Sequence, residues 1–238
     1  MHRTRAALAP LAIAATLAAS AAGAKGQLQA RPTMVEMPPA AAATRFILAN
    51  TGDAPVAAQI KVFEWRQSKG QDELVPTRDV VVSPPIAQVA PGAEQVVRII
   101  RPGPPVGGRD RSYRLVVEEL PGSKKDANTA ISVRLRYVIP LFLRAQGSSR
   151  PDLACRLHGR MLACVNKGGQ PAQLGRTTLH DSGGHAVELS AGLFGYVLPA
   201  SERQWTLSDG RVDALSNTLR LESHLNGQPV TLPVARSP

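Results

Sequence analysis

The chain has 238 residues, a formal net charge of +10 and only 4% aromatic residues. Its cations are scattered rather than clustered, and few rings are present to stack on bases, so the composition argues against a nucleic-acid-binding protein. Twenty Pro and twenty Gly interrupt the sequence at short intervals, and no segment keeps a helical apolar period over several turns. The composition therefore predicts an all-β protein.

The first residues have the features of a secretory signal peptide. Arg3 and Arg5 form a basic start, an Ala- and Leu-rich run follows over residues 6–19, and small residues near Ala22 and Ala24 offer cleavage sites. We expect residues 1–24 to be removed and the mature chain to lie outside the cytoplasm, in the periplasm. No later segment reaches about 20 consecutive apolar residues.

Several runs between residues 44 and 142 read as β-strands separated by turns. They cover residues 44–49, 57–65, 80–82, 95–100, 113–119 and 130–142. A strong turn signal, Asn50-Thr51-Gly52-Asp53, ends the first run, and Pro84 and Pro85 must leave the strand ladder because proline has no donor. These six runs come close to the seven strands of an immunoglobulin-like β-sandwich, the fold that the pattern predicts.

A short polar segment with Gly and Pro, residues 144–151, has the composition of a linker. We therefore expect an N-terminal domain over residues 25–145 and a second β-sandwich domain over residues 146–238. The second domain opens with a run in which Gly159-Arg160 suits a two-residue hairpin loop. In that register Cys155 faces Cys164, and in an exported protein this pair predicts a disulfide rather than a metal site or a redox-active pair.

The run over residues 129–142 carries the clearest strand pattern of the chain. Ile131, Val133, Leu135 and Tyr137 alternate with polar residues, which puts four apolar side chains on one face. Two interpretations are open at this point. The apolar face packs on the protein's own core, or the strand is offered to another protein.

Short motifs recur along the chain in a fixed order. They are Ala49-Asn50-Thr51-Gly52, Glu64-Trp65-Arg66-Gln67, Ser83-Pro84-Pro85-Ile86, Pro91-Gly92, Ser112-Tyr113-Arg114-Leu115, Pro140-Leu141-Phe142 and Asn166-Lys167-Gly168-Gly169. In this order and spacing they resemble the periplasmic pilus-assembly chaperones of the chaperone-usher pathway, the PapD-like family, and its divergent archaic branch in particular. The resemblance extends over nearly the whole mature chain.

The resemblance implies a fold, a function and a set of partners. It implies two immunoglobulin-like β-sandwich domains set at an angle, no enzymatic activity and no cofactor. The expected partners are pilin subunits and an outer-membrane usher, with no nucleic acid and no small-molecule substrate. In this family a strand of the chaperone completes the pilin's sandwich, which is donor-strand complementation. Carried over by position, the donated side chains are Ile131, Val133 and Leu135, with Tyr137 closing the series.

One departure from the family concerns the anchor of the pilin's C-terminal carboxylate. The family usually holds it with an Arg and a Lys, and the corresponding positions here are Met34 and Pro140. Neither side chain can donate a charged hydrogen bond. Arg98 or Arg136 are candidates for a substitute, and the alternative for each is an exposed or structurally paired arginine.

Other functional classes receive little support from the sequence. His180 and His185 lie in a loop-like segment without further ligands at metal-site spacing, and no metal is expected. No motif of a hydrolase nucleophile, a zinc protease or a phosphate-binding loop occurs. The alternative function is an exported structural β-sandwich protein of the pilin or adhesin type.

Overall fold

The computed structural model describes residues 27–121, 133–216 and 218–237. The expected signal peptide, Lys25 and Ile131 lie outside these ranges. The described residues form eighteen strands and one short 3-10 helix (Gly210–Ala214), and they contain no α-helix. The prediction of an all-β protein with immunoglobulin-like β-sandwich domains is confirmed.

Ten strands precede residue 144. They are β1 (Leu28–Arg31), β2 (Val35–Met37), β3 (Ala43–Asn50), β4 (Val56–Ser68), β5 (Gln71–Pro76), β6 (Val81–Ser83), β7 (Ile86–Val89), β8 (Glu94–Ile100), β9 (Arg111–Glu119) and β10 (Arg136–Leu143). A four-stranded sheet has the order β1-β3-β8-β6, and a six-stranded sheet has the order β2-β10-β9-β4-β5 with β7 also paired to β4. The alternating apolar residues of both sheets meet in one core, which includes Phe46, Ile60, Val97, Leu115 and Leu141.

Eight strands follow residue 152. They are β11 (Leu153–His158), β12 (Met161–Asn166), β13 (Ala172–Asp181), β14 (Ala186–Ser190), β15 (Gly195–Val197), β16 (Ser201–Thr206), β17 (Leu219–Leu225) and β18 (Gln228–Ser237). They form one hydrogen-bonded path, β14-β13-β17-β18-β11-β12-β16, with β15 paired to β13. Leu162 and Val187 belong to strands far apart on that path but to the same buried cluster, so the sheet folds over its own core.

The predicted hairpin and its disulfide are present. Cys155 pairs directly with Cys164 across β11 and β12, and the two are bonded with Cα atoms 4.1 Å apart. Gly159 has φ of 54°, whereas Arg160 is not in the left-handed region. A positive φ at the first loop position alone is the requirement of the type II′ turn that the sequence predicts.

Two buried asparagines organise equivalent turns in the two halves of the chain. Asn50 Nδ2 donates to the carbonyl oxygens of Ala54 (2.7 Å) and Val89 (3.1 Å), and its Oδ1 accepts from the Gly52 amide (3.0 Å). Asn166 makes the same three contacts, to Gln170, Val197 and Gly168. Each side chain satisfies buried backbone groups at a turn and joins it to a second strand, so each Asn is a structural residue.

Candidate partner-binding site

Strand β10 has a partner along its whole length on one side only. On that side it pairs antiparallel with β9 from Arg136↔Glu118 to Leu143↔Arg111. On the other side β2 pairs with Leu141, Phe142 and Leu143 alone. Within the described ranges, the stretch from Val133 to Pro140 therefore has an edge with no hydrogen-bonded strand beside it, which we call the free edge.

The hydrogen-bond pattern shows which backbone groups point to the free edge. Glu119 N donates to Leu135 O (3.0 Å), so the backbone N–H and C=O groups of Leu135 and of every second residue after it point toward β9. Arg144 N donates to Met37 O (2.9 Å), so the backbone groups of the even-numbered residues of β10 point toward β2. The amides of Arg136 and Val138 thus point to the free edge. Pro140 is tolerated because its missing N–H falls on this same edge.

The apolar side chains of the predicted donor segment differ in how far they are buried. Val133 is 76% exposed, whereas Leu135 and Tyr137 pack partly against the N-terminal core. Tyr137 Oη donates to Leu28 O at 2.5 Å, and burial raises the pKa of its phenol. Tyr137 is therefore engaged within its own domain. Among the described residues the strand begins at Arg136, so residues 133–135 of the predicted strand lie before it, and residues 130–132 lie outside the described ranges.

The two positions where the family carries its anchor cations lie side by side here. Because Leu141 pairs with Val35, Pro140 and Met34 come next in the same parallel register. Pro140 is buried, and Met34 is 37% exposed. We call the side of the six-stranded sheet that carries Arg136, Val138, Pro140 and Phe142 the junction face. An apolar pair occupies the usual anchor position on it.

Arg114 is the cation nearest in register to this apolar pair, and the sequence reasoning missed it. It pairs directly with Pro140 across β9 and β10. Its guanidinium carbon lies 3.4 Å from the ring centre of Trp65 and 5.5 Å from that of Tyr196. Burial lowers the pKa of Arg114. Among the described residues, no carboxylate lies within ion-pair distance of it. The sequence offered one signal for Arg114, because a cation there stands between two large apolar residues, Tyr113 and Leu115, of a predicted strand.

The two arginines that the sequence suggested as anchors are far apart. Arg136 lies on the junction face, where its Nε contacts Glu118 Oε1 at 3.0 Å, so it is structurally paired. Arg98 lies on β8, between the buried Val97 and Ile99, and points away from the core on the four-stranded sheet. The two sheets of a sandwich are about 10 Å apart, and Arg98 faces outward from the far one. It therefore cannot contact a group bound beside Pro140.

Aromatic side chains join the junction face to the second domain. Trp65, Phe142, Tyr196 and Leu198 form a separate buried cluster. The Trp65 and Tyr196 rings are 5.2 Å apart and nearly perpendicular, which is a favourable edge-to-face arrangement. Trp65 and Phe142, which the resemblance singled out, thus connect the domains at the lower end of β10.

Polar contacts fix the same junction. Gln67 Nε2 donates to Tyr196 O (2.8 Å), and Leu198 N donates to Gln67 Oε1 (2.9 Å), so one amide side chain bridges two backbone groups of the other domain. Gln204 N donates to Gly70 O (2.9 Å) at the tip of the β4–β5 hairpin. A Cβ at Gly70 would lie 2.5 Å from the Gln204 side chain, so only glycine fits this approach.

The remaining candidates have structural contacts. His185 Nδ1 lies 3.1 Å from Asp181 Oδ2, while His180 Nε2 lies 3.2 Å from Glu222 Oε2. The described parts of the chain contain no group of three His, Cys, Asp or Glu side chains arranged to hold a metal ion. In the same residues, no helix is long and apolar enough to cross a membrane.

The sequence matches a known protein family. Residues 27–148, just over half of the chain, match the family described as pili and flagellar-assembly chaperone, PapD N-terminal domain. No curated protein matches the sequence.

Solved structures resemble the whole fold at low identity. One is the CsuC–CsuE chaperone–tip adhesion subunit pre-assembly complex from archaic chaperone-usher Csu pili of Acinetobacter baumannii, with TM-score 0.71 and 21% identity over 89% of this chain and 100% of that chain. Another is the CupB2 chaperone of Pseudomonas aeruginosa, with TM-score 0.61 and 20% identity over 88% and 100%. A third is the Escherichia coli chaperone DraB, with TM-score 0.61 and 19% identity over 88% and 98%.

Fold and site define a protein of two β-sandwich domains with a free strand edge next to the domain junction. The chain belongs to the PapD-like family of pilus and flagellar-assembly chaperones.

Proposed function

We propose that the chain is a chaperone that binds pilin subunits by adding the free edge of β10 to the pilin's incomplete sandwich. The observation that carries the proposal is the edge itself. Residues 133–140 lack a second strand neighbour within the described ranges. Val133 precedes β10 at the same alternation as its core-facing side chains, yet it is exposed. An exposed apolar edge invites pairing with another chain, and a specific partner would satisfy it.

The proposed binding has a backbone part and a side-chain part. The Arg136 and Val138 amides supply donors for a pilin strand, at a net of about 1 kcal/mol per hydrogen bond. Ile131, Val133 and Leu135 supply aliphatic groups, each worth roughly 1.5 to 3 kcal/mol when fully removed from water. Leu135 is already half-buried and gains less, so Ile131 and Val133 carry most of the side-chain term.

We further propose the cellular setting of this activity. The chain would be exported by the signal peptide of residues 1–24, would act in the periplasm without catalysis, and would deliver pilins to an outer-membrane usher. Similar solved structures include complexes, among them CsuC with the tip adhesion subunit CsuE and the SafB chaperone with the SafA pilin of Salmonella enterica. The CsuC–CsuE complex comes from archaic chaperone-usher pili, and this similarity, together with the apolar residues at the usual anchor positions, supports a place in the archaic branch. A division into domains 25–145 and 146–238 is consistent with the strand pairing.

Arg114 is the residue that we propose as the anchor for the pilin's C-terminal carboxylate. A strand on the free edge runs toward Pro140, which offers no donor. Arg114 lies on the other side of Pro140, on β9, so its guanidinium would turn from Trp65 across Pro140 to reach the carboxylate. Its guanidinium is already partly desolvated against Trp65 and Tyr196, so binding a carboxylate costs less dehydration there than at an exposed arginine. Arg136 is the weaker candidate for this role, because it is exposed and already paired with Glu118.

Co-purification with the cognate pilin tests the strand-addition proposal. Val133→Ser should abolish recovery of the complex and leave the free protein's melting temperature within a few degrees, because Val133 is 76% exposed. Val138→Ser is the matched control, since Val138 is on the same strand but faces the other way and is 42% exposed. Equal recovery with both variants would contradict the proposal.

The anchor proposal needs a separate readout, because Arg114 also stabilises the junction. Wild-type protein should bind a C-terminal pilin peptide that ends in a free carboxylate about tenfold or more tightly than the same peptide ending in an amide. Arg114→Gln should remove this preference, and Arg98→Ala should retain it. A preference that survives Arg114→Gln would contradict the assignment even if overall affinity fell.

A further inference from the structure

The outer face of the four-stranded sheet carries two arginines in an unfavourable arrangement. Arg45 on β3 and Arg98 on β8 are direct antiparallel partners, and both are exposed. Directly opposed residues have Cβ atoms about 4.5 to 5.5 Å apart, and like charges at that spacing destabilise the pair of strands. Neither arginine forms a salt bridge with any residue that the structure describes.

Apolar side chains flank the two arginines on the same face. Val96 is 46% exposed and lies two residues from Arg98, opposite the half-buried Ile47. On the other side Val81, 41% exposed, pairs with Ile100. We call this surface, centred on Arg45 and Arg98 and flanked by these aliphatic groups, the arginine face. Its alternation of cations and exposed aliphatic side chains differs from an ordinary solvated sheet surface.

The nearest carboxylate on this face is already occupied. Glu94 is at the end of β8, four residues from Arg98, and its Oε1 is paired with the Arg31 guanidinium. The surface is therefore positively charged at its centre and apolar around it. The complementary surface must place a carboxylate between Arg45 and Arg98 and aliphatic groups beside it.

We propose that the arginine face is a docking surface for an acidic polypeptide segment of a partner protein, with carboxylates alternating with aliphatic residues. One carboxylate between the two guanidiniums would replace their repulsion by two charge-assisted hydrogen bonds. The face belongs to the sheet opposite β10, so it stays open while a strand occupies the free edge. The inference is independent of whether that strand comes from a pilin.

A short synthetic peptide tests the proposal on the full chain. The probe is fluorescein-labelled Glu-Val-Glu-Val-Glu with blocked ends, followed by fluorescence anisotropy at physiological salt, and the isosteric Gln-Val-Gln-Val-Gln peptide reports the role of charge. Arg45→Gln combined with Arg98→Gln should weaken binding of the acidic peptide about tenfold or more. Arg109→Gln combined with Arg176→Gln removes the same charge from two exposed arginines elsewhere and should change binding less than about twofold.

A single charge reversal separates docking from stability. Arg98→Glu places a carboxylate opposite Arg45, which should abolish peptide binding while the melting temperature stays equal or rises. A lower melting temperature would contradict the like-charge argument. Equal weakening by both double variants would overturn the proposal, because binding would then depend on net charge alone. An equal affinity of the wild type for the acidic and the Gln-containing peptides would also overturn it, because the surface would then not recognise carboxylates.

Discussion

The two ends of β10 belong to one strand but are held very differently. At the lower end, Leu141 and Phe142 are paired with β9 on one side and β2 on the other, and both are at most 1% exposed. At the upper end, Val133 is 76% exposed, and only β9 borders the strand. The change occurs at Pro140, where the free edge begins.

The difference teaches how one strand can serve both folding and binding. Residues near Phe142 fix the domain junction, together with Trp65 and the Gln67 bridge. They hold the upper end in a defined direction without covering it. A binding strand that is preorganised in this way loses less conformational entropy when a partner pairs with it.

The largest expected effect lies at the paired end. Leu141→Ala should reduce the free energy of unfolding by about 2 to 5 kcal/mol, because a fully buried leucine leaves a cavity in the N-terminal core. Chemical denaturation of the purified protein measures the loss. A change below about 1 kcal/mol would show that this end is not rigidly packed.

An intermediate effect is expected at Leu135, which lies between the exposed upper end and the buried lower end of the strand. Leu135 packs partly on the N-terminal core, so Leu135→Ala should cost roughly 1 to 2 kcal/mol of stability and should also weaken pilin capture. The same denaturation and co-purification assays report both losses. If stability fell as far as with Leu141→Ala, Leu135 would be a core residue and not a donated one.

The smallest effect on stability is expected for a change confined to the free edge. Val138→Pro removes an amide that points away from β9 and, as at Pro140, should cost less than about 1 kcal/mol. It should nevertheless reduce recovery of the pilin complex, whereas Val138→Ala, which keeps the amide, should not. A strongly destabilised Val138→Pro protein would mean that this amide belongs to the protein's own ladder.

The sequence could predict the features that depend on local pattern. Strand-forming runs bounded by turn signals predicted β3, β4, β8 and β9 to within a few residues, and the Gly159-Arg160 loop predicted the pairing of Cys155 with Cys164. These features depend on neighbouring residues and on turn chemistry, which a single sequence displays. The short strands β1, β2, β5 and β7 were missed, because three to six residues with Pro, Gln or charged side chains carry no distinct period.

Features that depend on long-range register could not be predicted. The sequence suggested both Arg98 and Arg136 as anchor candidates. Which sheet a strand joins is decided by pairing with strands tens of residues away, and β8 and β10 belong to different sheets. The same pairing brings Arg114 opposite Pro140 and Arg45 opposite Arg98. Neither contact has a signature within a single segment.

Residue-resolved amide hydrogen exchange, with and without bound pilin, tests the central claim most directly. In the free protein the Arg136 and Val138 amides should exchange rapidly because they face the free edge, whereas the Tyr137 and Ile139 amides should be protected by β9. On pilin binding, Arg136 and Val138 should become protected, and Tyr137 and Ile139 should change little. Unchanged exchange at Arg136 and Val138 in a complex that has formed would show that the pilin binds elsewhere and would contradict strand addition at β10.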